Sequence, residues 1–329
     1  MKNILTKLTN KYTLSKEEAK NAFILMGQGE ANLSQMAAFV TVFLMRPITT
    51  NELAGFREAM LSLCTAVDLS KYSPVDLVGT GGDSKNTFNI STLSSIVAAG
   101  AEVKIAKHGN YAVSSASGSS NVLENLGFKF TNDLTLIDKQ IDQANITFFH
   151  APLFHPAMKN VAPVRKELGM KTFFNILGPL TNPAHLQKRS VGVYNLEIMR
   201  LYHSLLEQTS ERYLIVHSLD GYDEISLTGQ FKLISNEFAK IYEPEDLGLP
   251  RLHADELFGG NTVEEAAAVF KKILIGEGNK SQNAVVAANA GTAIWVDNPG
   301  ISLKEAIHLA KESLEKGKAM ACFEKLLTL

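Results

Sequence analysis

The sequence predicts an α/β protein: a small helical N-terminal domain, then a larger α/β domain with a central, mostly parallel sheet flanked by helices. Residues 1–70 carry apolar side chains at helical spacing and show no strand-like alternation. From residue 71 onward, short apolar runs alternate with helical stretches, as in a parallel sheet covered by helices. Three glycines follow the first apolar run directly, where ligand-binding loops lie in such sheets.

The helical domain is predicted from its helix starts. Ser15-x-x-Glu18 and Thr49-x-x-Glu52 match the capping-box pattern, and Asn32-x-x-Gln35 resembles it. Helix-period apolar residues follow each of them. The segment Lys71-Tyr-Ser-Pro74 is the predicted link to the next domain.

The α/β domain, residues 71–329, contains the predicted sheet. Apolar runs predict strands at 75–78, 102–106, 146–150, 190–194, 213–217 and 224–227. Weaker signals predict two more strands, at 232–235 and 240–243. Helical stretches lie near 92–99, 120–126, 133–143, 196–208, 262–275, 281–296 and 302–316.

Composition limits the classes of function. Of 329 residues, 45% are apolar and 20% are charged, as in soluble globular proteins, and the net charge of −2 argues against a nucleic-acid-binding surface over the whole chain. Cys64 and Cys322 lie far apart without metal-ligand spacing, which is typical of reduced thiols in the cytoplasm. No apolar run has the length of a membrane span. We therefore expect a cytoplasmic protein that binds neither nucleic acid nor membrane.

The first strand leads into a glycine turn and then a helix start. Val75–Val78 reads as a buried strand, Gly79, Gly81 and Gly82 follow it, and Asn89–Thr92 precedes an apolar helix. Glycines permit positive φ and close approach to a ligand, and the unpaired N–H groups of a helix start attract anions. The pattern predicts a phosphate site. The alternative is an ordinary turn in which Ser91 or Thr92 caps the helix.

A second strand-loop-helix unit follows directly. The loop Lys107–Gly118 combines one cation with serines, an asparagine amide and glycines, which suits phosphate and hydroxyl groups. The alternative is a flexible surface loop, but adjacent parallel strands place the two loops side by side. His108 is either a ligand contact or a structural histidine.

Two further clusters of charge allow alternatives. Asp223-Glu224 is either a solvated acidic bend or a magnesium site, because Mg²⁺ takes one or two carboxylates together with substrate oxygens. The basic helical stretch Val164–Thr172 includes Arg165, which has the planar fork that binds a carboxylate. For Lys166 and Lys171 we favour a solvated face.

In order and spacing, these segments resemble the anthranilate phosphoribosyltransferase family nearly from end to end. The segments that carry the resemblance are Gly79–Asp83, Asn89–Thr92, Lys107–Asn110, Ser117–Ser119, Val122–Glu124, His155–Lys159, Ala162–Arg165, Glu167–Gly169, Phe174–Pro183 and Asp220–Ser226. Tyr111 stands where the family usually has arginine, Asn121 replaces a common aspartate, and Lys166 and Lys171 replace common arginines.

The resemblance implies a fold and a reaction. A helical domain is joined by a hinge to the α/β domain, roughly residues 160–190 pack near the helical domain, and the chain forms a homodimer. The reaction transfers the phosphoribosyl group of phosphoribosyl pyrophosphate (PRPP) to the amine of anthranilate in tryptophan biosynthesis, and pyrophosphate is released.

The resemblance also implies the site residues. For PRPP they are Gly79, Gly82, Asp83, Thr87, Asn89, Ile90, Ser91, Thr92, Lys107, His108, Gly109, Asn110, Tyr111, Ala112, Val113, Ser114, Ser115 and Ser119. For anthranilate they are Gly79, His108, Asn110 and Arg165, and for Mg²⁺ they are Ser91, Asp223 and Glu224. Two magnesium ions are implied, one of them carried with the diphosphate. No acid or base is implied, although His108 is a candidate.

Two rival functions belong to other classes. A pyrimidine nucleoside phosphorylase resembles this family in fold and phosphate loops, but its Lys-x-Ser and Ser-x-Arg motifs are not arranged that way in this chain. A non-catalytic relative that binds nucleic acid or protein would show a basic surface and degraded metal carboxylates. This chain has a net charge of −2 and keeps Asp223-Glu224.

Overall fold

Residues 1–62 form a bundle of four helices. The structure is a computed structural model that describes residues 1–111 and 118–329. The helices are α1 (Lys2–Thr9), α2 (Lys16–Gly27), α3 (Leu33–Met45) and α4 (Thr50–Ser62). Capping boxes begin α2, α3 and α4 at Ser15, Asn32 and Thr49, so all three predicted helix starts are confirmed.

The core of the bundle is aromatic and includes residues from the middle of the chain. Phe56 of α4 stacks on Phe173 at 4.6 Å between ring centroids, and Phe23 lies 5.7 Å from Phe174. Phe39 meets Phe173 edge-on at 6.3 Å. Aromatic pairs at these separations attract each other beyond the burial of their area. The segment that contains Phe173 and Phe174 is therefore packed on the helical bundle.

A seven-stranded sheet forms the centre of the second domain. Its strands are β1 (Val75–Gly79), β2 (Ile105–Gly109), β3 (Ile146–His150), β4 (Lys188–Gly192), β5 (Arg212–Ser218), β6 (Phe231–Ser235) and β7 (Ala239–Tyr242). The spatial order is β3-β2-β1-β4-β5-β6-β7. The first five strands are parallel, and β6 and β7 are antiparallel additions at one edge. The predicted α/β class with a mostly parallel sheet is confirmed.

Helices connect the strands, and most of them cover the sheet, whereas Met158–Leu168 and Phe173–Leu177 pack on the helical bundle. The helices are α5 (Ile90–Gly100), α6 (Ser119–Asn125), α7 (Leu134–Ala144), α8 (Ala151–Phe154), α9 (Met158–Leu168), α10 (Phe173–Leu177), α11 (Leu196–Leu206), α12 (Val263–Leu274), α13 (Lys280–Asp297), α14 (Leu303–Glu315) and α15 (Lys318–Leu327). Short 3₁₀ turns lie at Ser70–Tyr72, Gly178–Leu180, Pro244–Leu247 and Ala254–Leu257. Across the described ranges, none of the helices is long and apolar enough to cross a membrane.

Two strand predictions need correction. The predicted strand 224–227 is wrong, because this segment is a turn in which Leu227 has a φ of 62°. Its apolar residues, Ile225 and Leu227, are buried against the core, and the backbone N–H of Ile225 donates to the side chain of Asn289. The second strand begins later than predicted, because Glu102 has a φ of 71° and ends the preceding turn.

Candidate active site

The carboxyl ends of β1 and β2 open into a cavity of about 560 Å³ that also borders the helical bundle and α9. Of the site residues predicted from the sequence, those that line this cavity are Gly79, Gly82, Asp83, Thr87, Asn89, Ile90, Ser91, Thr92, Lys107, His108, Gly109, Asn110, Tyr111, Ser119, Arg165, Asp223 and Glu224. The predicted residues Ala112, Val113, Ser114 and Ser115 lie outside the described residues.

The loop after β1 depends on glycine at three positions. Gly81 and Gly82 have φ values of 60° and 78°, a region that other residues rarely adopt. At Gly79 the reason is contact rather than conformation, because a Cβ atom there would lie 2.4 Å from a carboxylate oxygen of Asp223. The N–H of Gly81 donates to the same carboxylate at 2.6 Å. The glycine loop is therefore folded around Asp223.

The paired carboxylates lie beneath this loop and not on an exposed bend. Asp223 is buried and Glu224 is half-buried. An oxygen of Glu224 accepts the backbone N–H of Ser91, in the first turn of α5, at 2.9 Å. A solvated acidic bend, the alternative allowed by the sequence, does not fit this burial.

Negative charge accumulates at this end of the cavity. Burial, and next the nearby Asp83 carboxylate, raise the pKa of Asp223 to about 6. Burial, followed by the charges of Asp223 and Asp83, raises the pKa of Glu224 well above its usual value. Such crowding destabilises the ionised carboxylates unless a cation lies close to them.

Lys107, at the end of β2, is a cation close to these carboxylates. Its side chain is buried, and its ammonium donates to the carbonyl oxygen of Leu77 at 2.5 Å and lies 3.5 Å from Oγ of Ser91. Burial lowers the pKa of Lys107, whereas the charges of Asp76, Glu224 and Asp223 act in the opposite direction. Burial raises the pKa of Asp83, which has two further cations near it, Lys85 and Lys171, whose charges act in the opposite direction.

The donor chemistry of this end fits a magnesium ion. Two carboxylates and the hydroxyl of Ser91 are oxygen ligands, which Mg²⁺ prefers, and Mg²⁺ takes its remaining ligands from substrate and water. Among the described residues, there is no cluster of three or more His, Cys, Asp or Glu side chains arranged to hold a metal without such help. The site therefore fits a metal that arrives with an oxygen-rich ligand.

A second part of the cavity wall, formed by α9 and α10, carries a positive charge and an aromatic ring. The guanidinium carbon of Arg165, on α9, lies 5.1 Å from the centroid of the Phe174 ring. Arg165 is half-buried, and burial lowers its pKa. A planar guanidinium over an aromatic face is held in orientation and can offer its edge to a carboxylate.

Two buried histidines also line the cavity. The rings of His108 and His155 are 5.1 Å apart. Burial lowers the pKa of His108 to about 3 and that of His155 to about 4. Nδ1 of His108 lies 3.2 Å from the carbonyl oxygen of Gly178, while Nε2 of His108 is buried without a hydrogen-bond partner among the described residues. The backbone of Thr181 lies near the His155 ring and acts against the lowering of its pKa. These histidines are uncharged at neutral pH.

One of the two lysines expected to be solvated contacts the site. Lys171 donates from its ammonium to the carbonyl oxygen of Gly82 at 2.6 Å and to Oγ of Ser84 at 3.2 Å. Lys171 is exposed, as expected for a solvated charge, but the chain between α9 and α10 also places its ammonium on the glycine loop. Lys166 is exposed, as expected.

Tyr111, at the position where the family usually has arginine, makes a local contact. Its hydroxyl donates to Oε1 of Glu124 at 2.9 Å, and its ring meets the ring of His150 edge-on at 4.6 Å. Tyr111 borders the cavity, but the hydroxyl is engaged with α6.

Sequence reasoning assigned no role to other residues that line the cavity: Met60, Ala151, Pro152, His155, Met158, Lys159, Phe174, Asn175, Gly178, Pro179 and Thr181. Several of these residues belong to the motifs that carry the resemblance, and those motifs were the sequence signal that could have identified them as site residues. Met60 belongs to α4 of the bundle, and no signal in the sequence relates it to the sheet.

Comparison with known proteins agrees with this architecture. The description "Glycosyl transferase family, helical bundle domain" matches residues 2–64, and "Glycosyl transferase family, a/b domain" matches residues 71–320. Fold, site and both matches define a two-domain glycosyltransferase.

Individual relatives show which family of glycosyltransferases the chain belongs to. The chain is 56% identical over 325 residues to anthranilate phosphoribosyltransferase of Cytophaga hutchinsonii, covering 99% of each, and 56% identical over 329 residues to that of Flavobacterium psychrophilum, covering 100% of this chain and 99% of the relative. The chain belongs to the anthranilate phosphoribosyltransferase family, which confirms the resemblance.

Solved structures of this family have the same fold. The crystal structure of the enzyme from Thermus thermophilus matches with a TM-score of 0.93 at 35% identity, covering 99% of this chain and 98% of that one. The enzyme from Saccharomyces cerevisiae in complex with PRPP and Mg matches with a TM-score of 0.91 at 28% identity, covering 99% and 96%.

Proposed function

We propose that the protein transfers the phosphoribosyl group of PRPP to the amine of anthranilate in tryptophan biosynthesis, forming N-(5-phosphoribosyl)anthranilate and pyrophosphate. The observation that carries this proposal is the polarity of a single cavity. One end has a glycine loop, a helix start and buried carboxylates, and the other has Arg165 stacked on Phe174. A phosphorylated donor fits the first end and a small aromatic carboxylate fits the second.

The PRPP end uses main-chain N–H groups and Lys107. The N-terminus of α5 at Ile90 borders this end of the cavity, and the positive end of a helix dipole favours anions. One N–H of its first turn, that of Ser91, already donates to Glu224. Gly82 allows the backbone to approach a phosphate closely because it adopts a φ of 78°. The remaining PRPP contacts are those expected from the sequence, including residues 112–115.

Magnesium completes this end of the site. The yeast relative was solved in complex with PRPP and Mg. In this chain, Ser91, Asp223 and Glu224 would hold the metal, and two ions are proposed, one of them carried with the diphosphate. Bound magnesium would neutralise negative charge on the pyrophosphate group as it leaves. The proximity of Asp83, Asp223 and Glu224, whose mutual repulsion a bound cation would relieve, supports this assignment.

Anthranilate would lie between Arg165 and the glycine loop, near His108 and Asn110. The yeast relative was also solved in complex with 4-fluoroanthranilate, a close analogue. Arg165 would orient the carboxylate, and the uncharged His108 adds no positive charge beside the ribose carbon on which positive charge grows. The amine of anthranilate is itself the nucleophile, so the protein needs no covalent nucleophile. Its task is to align the reacting atoms, which can contribute about 7–11 kcal/mol.

Exclusion of water would come from the two parts of the chain on either side of the cavity. We propose that residues 1–70, with roughly 160–190 packed beside them, form one domain and residues 71–329 the other. Lys171 bridges this boundary, because it reaches from the chain after α9 to the carbonyl of Gly82. Closure over bound substrates would keep water from the activated ribose.

The proposal also includes a homodimer in the cytoplasm. The helical bundle exposes large apolar side chains, among them Tyr12, Leu33 and Met45, which support a protein contact. Both cysteines are free, which is typical of a reducing compartment. Sedimentation of the wild-type protein should give twice the chain mass, and Met45→Lys should shift it toward the monomer. A wild-type protein that sediments as a monomer contradicts the dimer.

One assay tests the reaction. Anthranilate fluorescence should fall with time when PRPP and Mg²⁺ are both present, and should stay constant when either is omitted. Thymidine with phosphate is the control for a pyrimidine nucleoside phosphorylase and should give no thymine. Loss of anthranilate without PRPP, or release of thymine, would overturn the proposal.

A further inference from the structure

Asp76 carries a buried carboxylate that none of the roles above uses. It lies in β1, ahead of the glycine loop, and is 1% exposed. Its two oxygens have separate partners: Oδ1 accepts the backbone N–H of His108 at 3.2 Å, and Oδ2 accepts the side-chain amide of Asn182 at 2.9 Å. Asn182 is also buried. Burying a carboxylate is unfavourable, so a site with two directed hydrogen bonds is a specific arrangement.

This carboxylate replaces part of the pairing between β1 and β2. Among the described residues, the register between these strands is Val75 with Ile105, whereas β2 continues to pair with β3 as far as Gly109. A continuous parallel ladder would give the His108 N–H to a carbonyl of β1. Here the Asp76 side chain accepts it, and the carbonyl of Leu77 accepts the ammonium of Lys107 instead. On the side that faces β1, side chains and not a ladder hold the end of β2, whereas the ladder with β3 is continuous.

Asn182 ties the same strand end to the chain that follows α10. Its amide donates to the carbonyl of Ala106 at 2.8 Å as well as to Asp76, and its oxygen accepts the N–H of Ala184 at 3.0 Å. Earlier in the same segment, the carbonyl of Gly178 lies 3.2 Å from Nδ1 of His108. The segment from Gly178 to Asn182 therefore holds the end of β2 at two points.

We propose that Asp76 and Asn182 are positioning residues that set the separation between the Lys107–His108 backbone and the Gly178 turn, and so the width of the anthranilate end of the cavity. This inference rests on the proposed function, since that width matters only if an aromatic amine must be aligned there. Neither residue lines the cavity. They act through His108 and Gly178, which do.

The substitution Asp76→Asn tests the hydrogen-bonded pair of Asp76 and Asn182, because asparagine has nearly the same volume as aspartate. The variant has one acceptor and one NH₂ group where two acceptors are needed, so a donor faces either the His108 N–H or the Asn182 amide. Because a misplacement of about 1 Å can cost about 100-fold in rate, we expect kcat/KM for anthranilate to fall by roughly 10- to 100-fold, with a smaller change in KM for PRPP.

The double variant Asp76→Asn/Asn182→Asp restores the hydrogen bond between the two side chains, because the new amide donates to the new carboxylate and its oxygen remains available to the His108 N–H. The carbonyl of Ala106 loses its donor in every variant that carries Asn182→Asp. The matched comparison is therefore Asn182→Asp alone, in which two carboxylates face each other, and the double variant should have the higher kcat/KM of the two. A double variant that is no better than Asn182→Asp overturns the proposed link between the two residues. If Asp76→Asn does not fold, Asn182→Ala is judged by the same kinetic criteria.

Thr147→Val is the matched control. Thr147 lies in β3, which β2 separates from β1. It is buried, and its hydroxyl donates to Gln140 at 2.8 Å, so this variant also loses one buried hydrogen bond. It should lower Tm without changing either KM. If Asp76→Asn behaves in the same way, with wild-type kinetic constants, Asp76 is structural only and the proposal is overturned.

A crystal structure of Asp76→Asn separates this inference from the proposed function. We expect His108 to shift away from the carbonyl of Gly178. An unchanged separation overturns the inference whatever the activity. If His108 shifts but the wild-type protein does not consume anthranilate, the proposed function fails and the positioning role stands.

Discussion

Replacing Arg165 with alanine tests the anthranilate end of the cavity. The side chain is half-buried against Phe174, and burial lowers its pKa, so its guanidinium has lost part of its hydration before any ligand arrives. A hydrogen bond that involves a charged group contributes about 1.5–3 kcal/mol, roughly a factor of 10 to 150 in affinity. We expect Arg165→Ala to raise KM for anthranilate by about that factor and to leave KM for PRPP nearly unchanged.

Two variants serve as controls in the same fluorescence assay, with one substrate varied at a time. Lys166→Ala removes the neighbouring cation, which is exposed, and should change neither KM. Arg165→Lys keeps the charge but loses the planar fork, so its KM for anthranilate should lie between those of the wild type and Arg165→Ala.

The comparison between substrates decides the interpretation. If Arg165→Ala raises both KM values equally, Arg165 attracts anions in general or supports domain closure. If neither KM changes, the assignment of Arg165 to the carboxylate is wrong, even though the residue lines the cavity.

Three other measurements address the rest of the site. Glu224→Gln should lose most activity at limiting Mg²⁺ while keeping a wild-type circular dichroism spectrum, and excess chelator should stop the wild-type reaction; near-normal turnover in either case refutes the metal assignment. Lys171→Ala should raise KM for PRPP because the ammonium no longer holds the carbonyl of Gly82, and an unchanged value would show that the contact does not matter for binding. The pKa values of His108 and His155, near 3 and 4, lie below the value of about 6.5 in an unfolded chain, so the contribution of each histidine to the free energy of unfolding falls as pH drops from about 6.5 toward 4. The raised pKa values of Asp223 and Glu224 act in the opposite direction, so the histidine contribution is measured as a difference between variants. Between pH 7.5 and 5, urea denaturation should show that the wild type loses more stability, or gains less, than His155→Gln; the same change in both proteins contradicts the assignment.

Local signals in the sequence predicted much of the fold. The three capping boxes all mark helix starts in the structure, because a cap depends on residues only three positions apart. The prediction of a strand at 224–227 is wrong because an apolar run indicates that residues are buried, but does not show whether their backbone pairs with another strand. Ile225 and Leu227 are buried, but their backbone forms a turn that supports the carboxylates.

Contacts across the fold were not predictable from one sequence. The spacing of basic residues after Arg165 gives no sign that Lys171 reaches the glycine loop, because that contact depends on how α9 ends and turns back. The same holds for Asp76, which precedes the glycine loop in sequence but acts on β2 and on the segment after α10. In each case the partner lies far along the chain.

The glycine loop and the carboxylate pair behave as one structural unit, although they are distant in sequence. Gly79 in β1 and Gly192 in β4 both lie against Asp223: a Cβ atom would come within 2.4 Å of its carboxylate at Gly79 and within 1.5 Å of its carbonyl oxygen at Gly192. The two strands are neighbours, paired at these very residues. The glycines therefore give the Asp223 turn room to descend onto the sheet, where Gly81 binds its carboxylate. The sequence pattern that indicated a phosphate loop thus also encodes the position of the candidate metal ligands, because the same backbone must approach both.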